Sequence, residues 1–161
     1  MLKYTDAKIT FAEVPDEIAL CINISGCPCA CKGCHSSYLA EDVGTELTFH
    51  EIKKLIKNNS GINCVALMGG DADPVRVNTL ASLITNHYNY LKVAWYSGRQ
   101  ELSKAIDLVN FDYLKLGPYI EELGPLNSET TNQRFYKILN DKGKRILIDE
   151  TYKFRRHETE N

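Results

Sequence analysis

Apolar and polar residues alternate along the chain in blocks of two kinds, short apolar runs and longer stretches with helical spacing. Residues 8–24 read as two extended stretches around Pro15-Asp16, a hairpin or a bend, and residues 1–17 as an N-terminal extended segment. The second stretch, Ile18-Ala19-Leu20-Cys21-Ile22-Asn23-Ile24, is almost continuously apolar, as a strand buried on both faces must be. Thr48-Phe49-His50-Glu51 has the capping-box pattern, with Thr48 as N-cap and Glu51 three residues on. Ile52, Leu55 and Ile56 form a stripe behind it, which predicts a helix over 49–58. Cys64-Val65-Ala66-Leu67-Met68 reads as a second buried strand. From Pro74 on, Val77, Leu80, Ile84 and Tyr88 recur at helical spacing.

Leu91–Tyr96 is a third predicted strand, and residues 100–108 a short helix. Phe111–Leu116 is a fourth strand and Lys144–Asp149 a last one. Strands alternating with helices imply a parallel sheet with right-handed crossovers. Residues 117–135, with two Gly-Pro steps, are the least regular part. The charged tail over 153–161 is expected to fray. No repeat or linker divides the 161 residues, so a single domain is expected.

Four unusual sequences follow the C-terminal ends of predicted strands: Cys27–Cys34, Gly69-Gly70-Asp71, Ser97-Gly98-Arg99 and Gly117-Pro118-Tyr119. In a parallel sheet or barrel those ends share one face, where ligands bind in such folds. Motifs distant in sequence would then converge on one site.

Composition adds one strong signal and removes several classes. Lys plus Arg is 19 and Asp plus Glu 21, a net charge of -2, which gives no support to binding nucleic acid through bulk charge. No apolar run is long enough to span a bilayer, and the first residues lack the apolar stretch of a signal peptide, so a cytoplasmic location is expected. Six cysteines are present, and four of them, Cys27, Cys29, Cys31 and Cys34, fall within eight positions. In a cytoplasmic chain such a cluster points to metal or redox chemistry before disulfides. Cys21 and Cys64 lie in apolar strands and read as small buried hydrophobes.

Cys27, Cys31 and Cys34 are spaced C-x3-C-x2-C. Thiolates are soft ligands suited to iron–sulfur clusters or zinc. Three of them hold three irons of a 4Fe-4S cube and leave the fourth iron open to a non-protein ligand. Gly26 and Gly33 relieve crowding where the backbone folds round such a cube. The competing reading is a zinc site made by all four clustered cysteines, although zinc sites usually pair two C-x2-4-C units at a distance and no second pair exists.

The spacing resembles the signature of the radical S-adenosylmethionine (SAM) enzymes. Within that superfamily the chain resembles the anaerobic ribonucleoside-triphosphate reductase activating proteins. Ile24-Ser25-Gly26-Cys27 leads into the loop and Lys32-Gly33-Cys34-His35 closes it. Met68-Gly69-Gly70-Asp71 takes the place of the superfamily's Gly-Gly-Glu element, with Asp71 one methylene shorter. Gly33 stands where many members have an aromatic residue. Leu116-Gly117-Pro118-Tyr119 and Thr131-Asn132-Gln133-Arg134 look like the family's C-terminal marks. The resemblance runs from about residue 8 to residue 136.

It implies a short, open partial α/β barrel of five or six parallel strands. Cys27, Cys31 and Cys34 would carry a 4Fe-4S cluster, with Cys29 a spare. SAM would meet Gly33, Cys34 and His35 at its adenine, Gly69, Gly70 and Asp71 at its methionine end, and Ser97 and Lys115 at its carboxylate or ribose. The implied activity is reductive cleavage of SAM with an external electron donor. The resulting radical would take hydrogen from a glycine of the anaerobic ribonucleotide reductase, which makes that reductase the implied partner. Activation of another glycyl-radical enzyme, of the formate-lyase type, is the alternative within the class, and a zinc-binding interaction module the alternative outside it.

Each residue also has a plainer reading. Gly69-Gly70 serves as a tight turn, Ser97 as a turn serine, Lys115 as an edge lysine and His35 as an exposed loop histidine. Asp73 caps the helix at Pro74. Thr130 or Thr131 caps a polar helix that starts at 132–134, and Arg155-Arg156-His157 is a solvated tail or meets an acidic partner.

Overall fold

The computed structural model describes residues 1–34 and 37–158. Its elements are β1 (Lys3–Thr10), β2 (Ala19–Ile24), β3 (Thr45–Glu46), α1 (Phe49–Asn58), β4 (Cys64–Met68), α2 (Pro74–His87), β5 (Lys92–Tyr96), β6 (Tyr113–Leu116), β7 (Arg134–Asp141) and β8 (Lys144–Asp149). Among the described residues the fold is α/β, with two α-helices and one mixed eight-stranded sheet of order β3-β1-β2-β4-β5-β6-β7-β8.

The middle of the sheet follows the pattern read from the sequence. β2, β4, β5 and β6 run parallel and adjacent, with Leu20 opposite Val65, Val65 opposite Val93 and Trp95 opposite Leu114. β1 and β2 form the hairpin around Pro15-Asp16, and β1 begins at Lys3, inside the segment over 1–17 expected to be extended. Thr48 caps α1 by accepting from the Glu51 amide (3.1 Å), but the Glu51 carboxylate does not complete the box; it accepts from the Tyr4 hydroxyl (2.9 Å). Asp73 caps α2 by accepting from the Arg76 amide, with Pro74 in the first turn.

The flanks require corrections. Only four of the strands are parallel, not five or six. A parallel return needs a crossover of a dozen residues or more, usually helical. Residues 117–133 form no helix, so β7 comes back antiparallel to β6. β7 itself replaces the polar helix expected at 132–134. It pairs with β8 through a two-residue turn in which Lys142 (φ 52°) and Gly143 (φ 86°) are both left-handed, the geometry that matches strand twist. The helix expected over 100–108 is absent: the segment is bends and turns before a short 3-10 turn at Leu108–Asn110. Ser103 and Asp107 side chains accept from the Ala105 and Val109 amides, and such local bonds compete with a helix. Within the tail expected to fray over 153–161, residues 159–161 lie outside the described residues. Thr151–Glu158 is a 3-10 helix, Lys153 pairs with Asp16 (2.8 Å) and Glu150 (2.9 Å), and Phe154 packs edge-on against Phe135.

Both helices cover the same face of the sheet. Leu20, Ile22, Ile24, Val65, Leu67, Val93, Trp95 and Leu114 point to that side and meet Ile52, Ile56, Val77, Leu80 and Ile84. The alternate residues form a smaller cluster on the opposite face: Ala19, Cys21, Cys64, Ala66, Ala94, Tyr96, Tyr113 and Phe135. Cys21 and Cys64 are buried there as expected. The small side chains at the centre of this face are buried among Val14, Tyr96, Tyr113 and Phe135. The Phe11–Asp16 turn, residues 125–127, Tyr96, Lys115 and Phe154 line a cavity of about 730 Å³.

Candidate metal centre

The four parallel strands end on one edge, and the loops that leave them are bonded to one another. The Gly69 amide donates to the Tyr96 carbonyl (3.0 Å), the Ser97 amide to the Lys115 carbonyl (2.9 Å) and the Gly117 amide to the Arg99 carbonyl (2.7 Å). The Trp95 indole N–H donates to the Gly69 carbonyl (2.7 Å), which fixes the loop after β4 from the strand beside it. The convergence expected from the sequence is therefore present for the motifs at 69–71, 97–99 and 117–119.

The cysteine loop leaves β2 on the same edge. Its entrance is held by the Gly26 amide on the Glu41 carbonyl (3.0 Å) and the Cys27 amide on the Leu39 carbonyl (2.8 Å). Inside it, the Cys34 amide donates to the Cys31 carbonyl (3.2 Å), while Gly26, Ala30 and Gly33 all have positive φ. The chain turns back on itself, so the thiols of Cys27, Cys31 and Cys34 come from one compact loop. All three are free and half-buried. A side chain at Gly33 would press on Glu121 and Tyr119 (3.2 and 3.4 Å), so the loop seats against the segment that follows β6.

These residues fit an iron–sulfur cluster. The donor set is three soft thiols, none in a disulfide and all half-buried. Among the described residues no three His, Cys, Asp or Glu groups stand close enough to hold a single ion. A cube differs from a single ion in that each thiolate binds its own iron.

Asp71 joins three of the loops. It is 9% exposed, and its carboxylate accepts from Ser97 Oγ (2.5 Å), the Gly98 amide (2.8 Å) and Cys29 Sγ (3.6 Å). Ser97 Oγ also accepts from the Arg99 amide (3.1 Å), so the hydroxyl is engaged on both sides. Burial, and after it the Asp71 carboxylate, push the Cys29 thiol up to about 12. Gly98 is needed where Cys29 meets it: a Cβ there would stand 2.8 Å from Cys29 Sγ. In the sequence Gly98 stands only within a strand-end motif, and the resemblance makes Cys29 only a spare. Their contact joins residues about seventy positions apart, and nothing local announces it.

Gly69 and Gly70 have φ of 109° and 95°. A Cβ on Gly70 would lie 2.6 Å from Val77 Cγ2, and one on Gly69 3.0 Å from the Ile24 carbonyl oxygen. The turn requires both glycines whatever it binds. Lys115 is buried, and its ammonium donates to the Ser97 (3.1 Å) and Gly117 (2.8 Å) carbonyls. Burial lowers its pKa, while Asp71 and then Cys31, Cys29 and Cys34 pull the other way. Lys115 and Cys34 both open onto the cavity, with Tyr96, Tyr119 and Gln133. Gln133, which donates to the Gly117 carbonyl (3.4 Å), enters the site from β7's approach. His35 lies outside the described residues.

A family model described as a 4Fe-4S single cluster domain matches residues 18–139. No curated protein and no solved structure matches the chain. The match begins just before β2 and ends within β7, so it contains the cysteine loop and all four parallel strands. No described helix is long and apolar enough to cross a membrane.

Proposed function

The chain belongs to the 4Fe-4S single cluster domain family, and from that premise we propose that it is a radical SAM activase that arms an anaerobic ribonucleotide reductase. The observation that carries this reading is the common opening of Cys34 and Lys115 onto one cavity beside the cysteine loop. A pure electron carrier has no use for a buried ammonium and a ligand-sized space at its cluster.

In this reading Cys27, Cys31 and Cys34 hold the cluster and no fourth side chain completes it. The mixed sheet stands for the open partial barrel of the resemblance, with the substrates on the face that carries no helix. A cluster held by these residues would supply an externally provided electron for reductive cleavage of SAM to methionine and a 5′-deoxyadenosyl radical, and that radical would take one hydrogen atom from a glycine of the reductase.

The chain's own residues bind and orient. Lys115 neutralises the SAM carboxylate from a site where burial raises the strength of that attraction. Gly69 and Gly70 are assigned to the methionine moiety by the family resemblance. Asp71 positions the neighbouring turns through Ser97 and Gly98 and retains acceptor capacity for the ammonium of SAM. Gly33 and Cys34 are assigned to the adenine, and the resemblance adds His35, which lies outside the described residues. No residue is required as a general acid or base, because the hard chemistry belongs to the cofactors.

The test is anaerobic reconstitution with iron and sulfide, reduction, and assay of SAM for 5′-deoxyadenosine. The reduced protein is then mixed with the reductase and examined for a glycyl radical by electron paramagnetic resonance. A brown protein that cleaves SAM and raises the radical supports the proposal. Cleavage with a radical only on a formate-lyase-type enzyme reassigns the partner. A colourless protein that keeps one zinc and leaves SAM intact overturns the reading altogether.

A further inference from the structure

The two ends of the sheet differ. One ends in β3, two residues long, which offers almost no edge to pair with. The other ends in β8, six residues long and exposed throughout. Its centre is Ile146, Leu147 and Ile148, at 36, 37 and 40% exposure. Successive strand residues point to opposite faces, so three exposed apolar residues in a row mean that neither face of β8 is covered. Edge strands are normally guarded by a charge, a proline or a bulge in the middle. Here the charges stand only at the ends, Lys144 and Arg145 before the apolar run and Asp149 after it, and pairing with β7 is continuous.

We propose that β8 is a homodimer interface, and that it pairs antiparallel with β8 of a second copy about a two-fold axis through Leu147. The register follows from the backbone. The Glu150 amide donates to the Phe135 carbonyl (2.8 Å), so position 150 faces β7. In an antiparallel ladder alternate residues turn both N–H and C=O to the same side. Ile148, Ile146 and Lys144 therefore also face β7, and Arg145, Leu147 and Asp149 present their backbone groups at the free edge. A second β8 bonds to that edge only if outward positions oppose outward positions.

With Leu147 opposite its own copy, Arg145 of each chain faces Asp149 of the other, and every outward N–H and C=O from 145 to 149 finds a partner. The side chains agree with this register. Arg145, Leu147 and Asp149 share one face, giving a leucine pair flanked by two opposite-charge pairs. Ile146 and Ile148 share the other face and stand across from Ile148 and Ile146 of the copy. Shifting by two residues either way breaks both charge pairs. Asp149 meets Arg134 (3.6 Å) and accepts from the Thr151 amide (2.9 Å), yet its side chain stays half-exposed, so a second arginine can reach it. The symmetry is closed, so pairing stops at two chains.

The proposal is independent of the cofactor chemistry. Sedimentation equilibrium of the full chain, reconstituted anaerobically, should give a dimer at micromolar concentration. Hydrogen exchange should protect the amides of Arg145, Leu147 and Asp149 as concentration rises. Leu147→Lys places like charges on the axis, and Arg145→Glu sets like charges opposite Asp149. Each should weaken the dimer about tenfold or more while cluster content stays unchanged. A wild-type monomer at tens of micromolar would overturn the proposal. So would a dimer that survives Arg145→Glu, an exposed change outside the folded core, or one that leaves those three amides unprotected.

Discussion

The face of the sheet under α1 and α2 and the face over the cavity draw on alternate residues of the same strands. On the helix side β2, β4 and β5 contribute Leu20, Ile22, Val65, Leu67, Val93 and Trp95, all buried against large helix side chains. On the cavity side the neighbouring positions are Cys21, Cys64, Ala66 and Ala94. The first set meets helices, and the second meets the Val14 and Phe135 side chains. A sheet with large residues on both faces would need helices on both; smaller residues on this face let turns and rings pack directly on it, and the cavity on this side is lined by Cys34, Tyr96, Lys115 and Gln133. Stability should therefore be concentrated on one side and chemistry on the other.

Substitutions should separate the two, and the largest effect is expected at the cysteine loop. Cys31→Ala should abolish the iron–sulfur absorbance and SAM cleavage, with thermal unfolding of the metal-free protein little changed. Cys29→Ala should keep most of the cluster, since its thiol turns to Asp71. Equal loss of iron from the two variants would show that the ligand set has been misassigned. On the opposite face, Leu80→Ala removes a fully buried side chain of α2. It should cost about 2–5 kcal/mol in denaturant unfolding. The folded fraction should still take up the cluster; a folded Leu80→Ala protein that cannot would break the division between the faces.

Gly70 sits where the faces meet. Alanine there must hold φ near 95° and push on Val77 of α2. A loss of about 1–3 kcal/mol is expected. If Gly70→Ala instead leaves stability untouched and only weakens SAM binding, then the glycine serves the ligand and not the turn.

What could be read from the sequence divides along the same line. The helix side was legible because its signals are periodic and local: the apolar stripe from Val77 to Ile84, the Thr48 and Asp73 caps, and the runs that became β2, β4 and β5. The strand-end motifs were legible because parallel strands must end together. β7 was missed although Lys142-Gly143 marks its turn, since Arg134–Asp141 mixes charge with apolar residues and is exposed toward its end. The contacts made by Cys29 with Gly98 and by Gly33 with Tyr119 and Glu121 were not legible at all. They depend on where a loop lands after the sheet has formed, and no spacing rule reaches that far.

The smallest expected effect tests how firmly β1 is tied to the helix side. The Tyr4 hydroxyl donates to Glu51 of α1 (2.9 Å). Burial, and then the Glu51 carboxylate, raise its pKa to about 12. In the unfolded chain a tyrosine ionises near about 10. Between those values the unfolded state gives up a proton that the folded state keeps, so Tyr4's contribution is complete below about pH 10 and is lost as the pH climbs toward 12. Tyr4→Phe should lower stability at neutral pH by about 0.5–1.5 kcal/mol, the net worth of one hydrogen bond. It should also flatten the alkaline fall in melting temperature, without abolishing it, because burial raises Tyr113 and Cys64 on the cavity face in the same direction. An alkaline slope identical to the wild type would mean that Glu51 does not hold Tyr4 in solution, and that β1 is held by its pairing with β2 and β3 and not by α1.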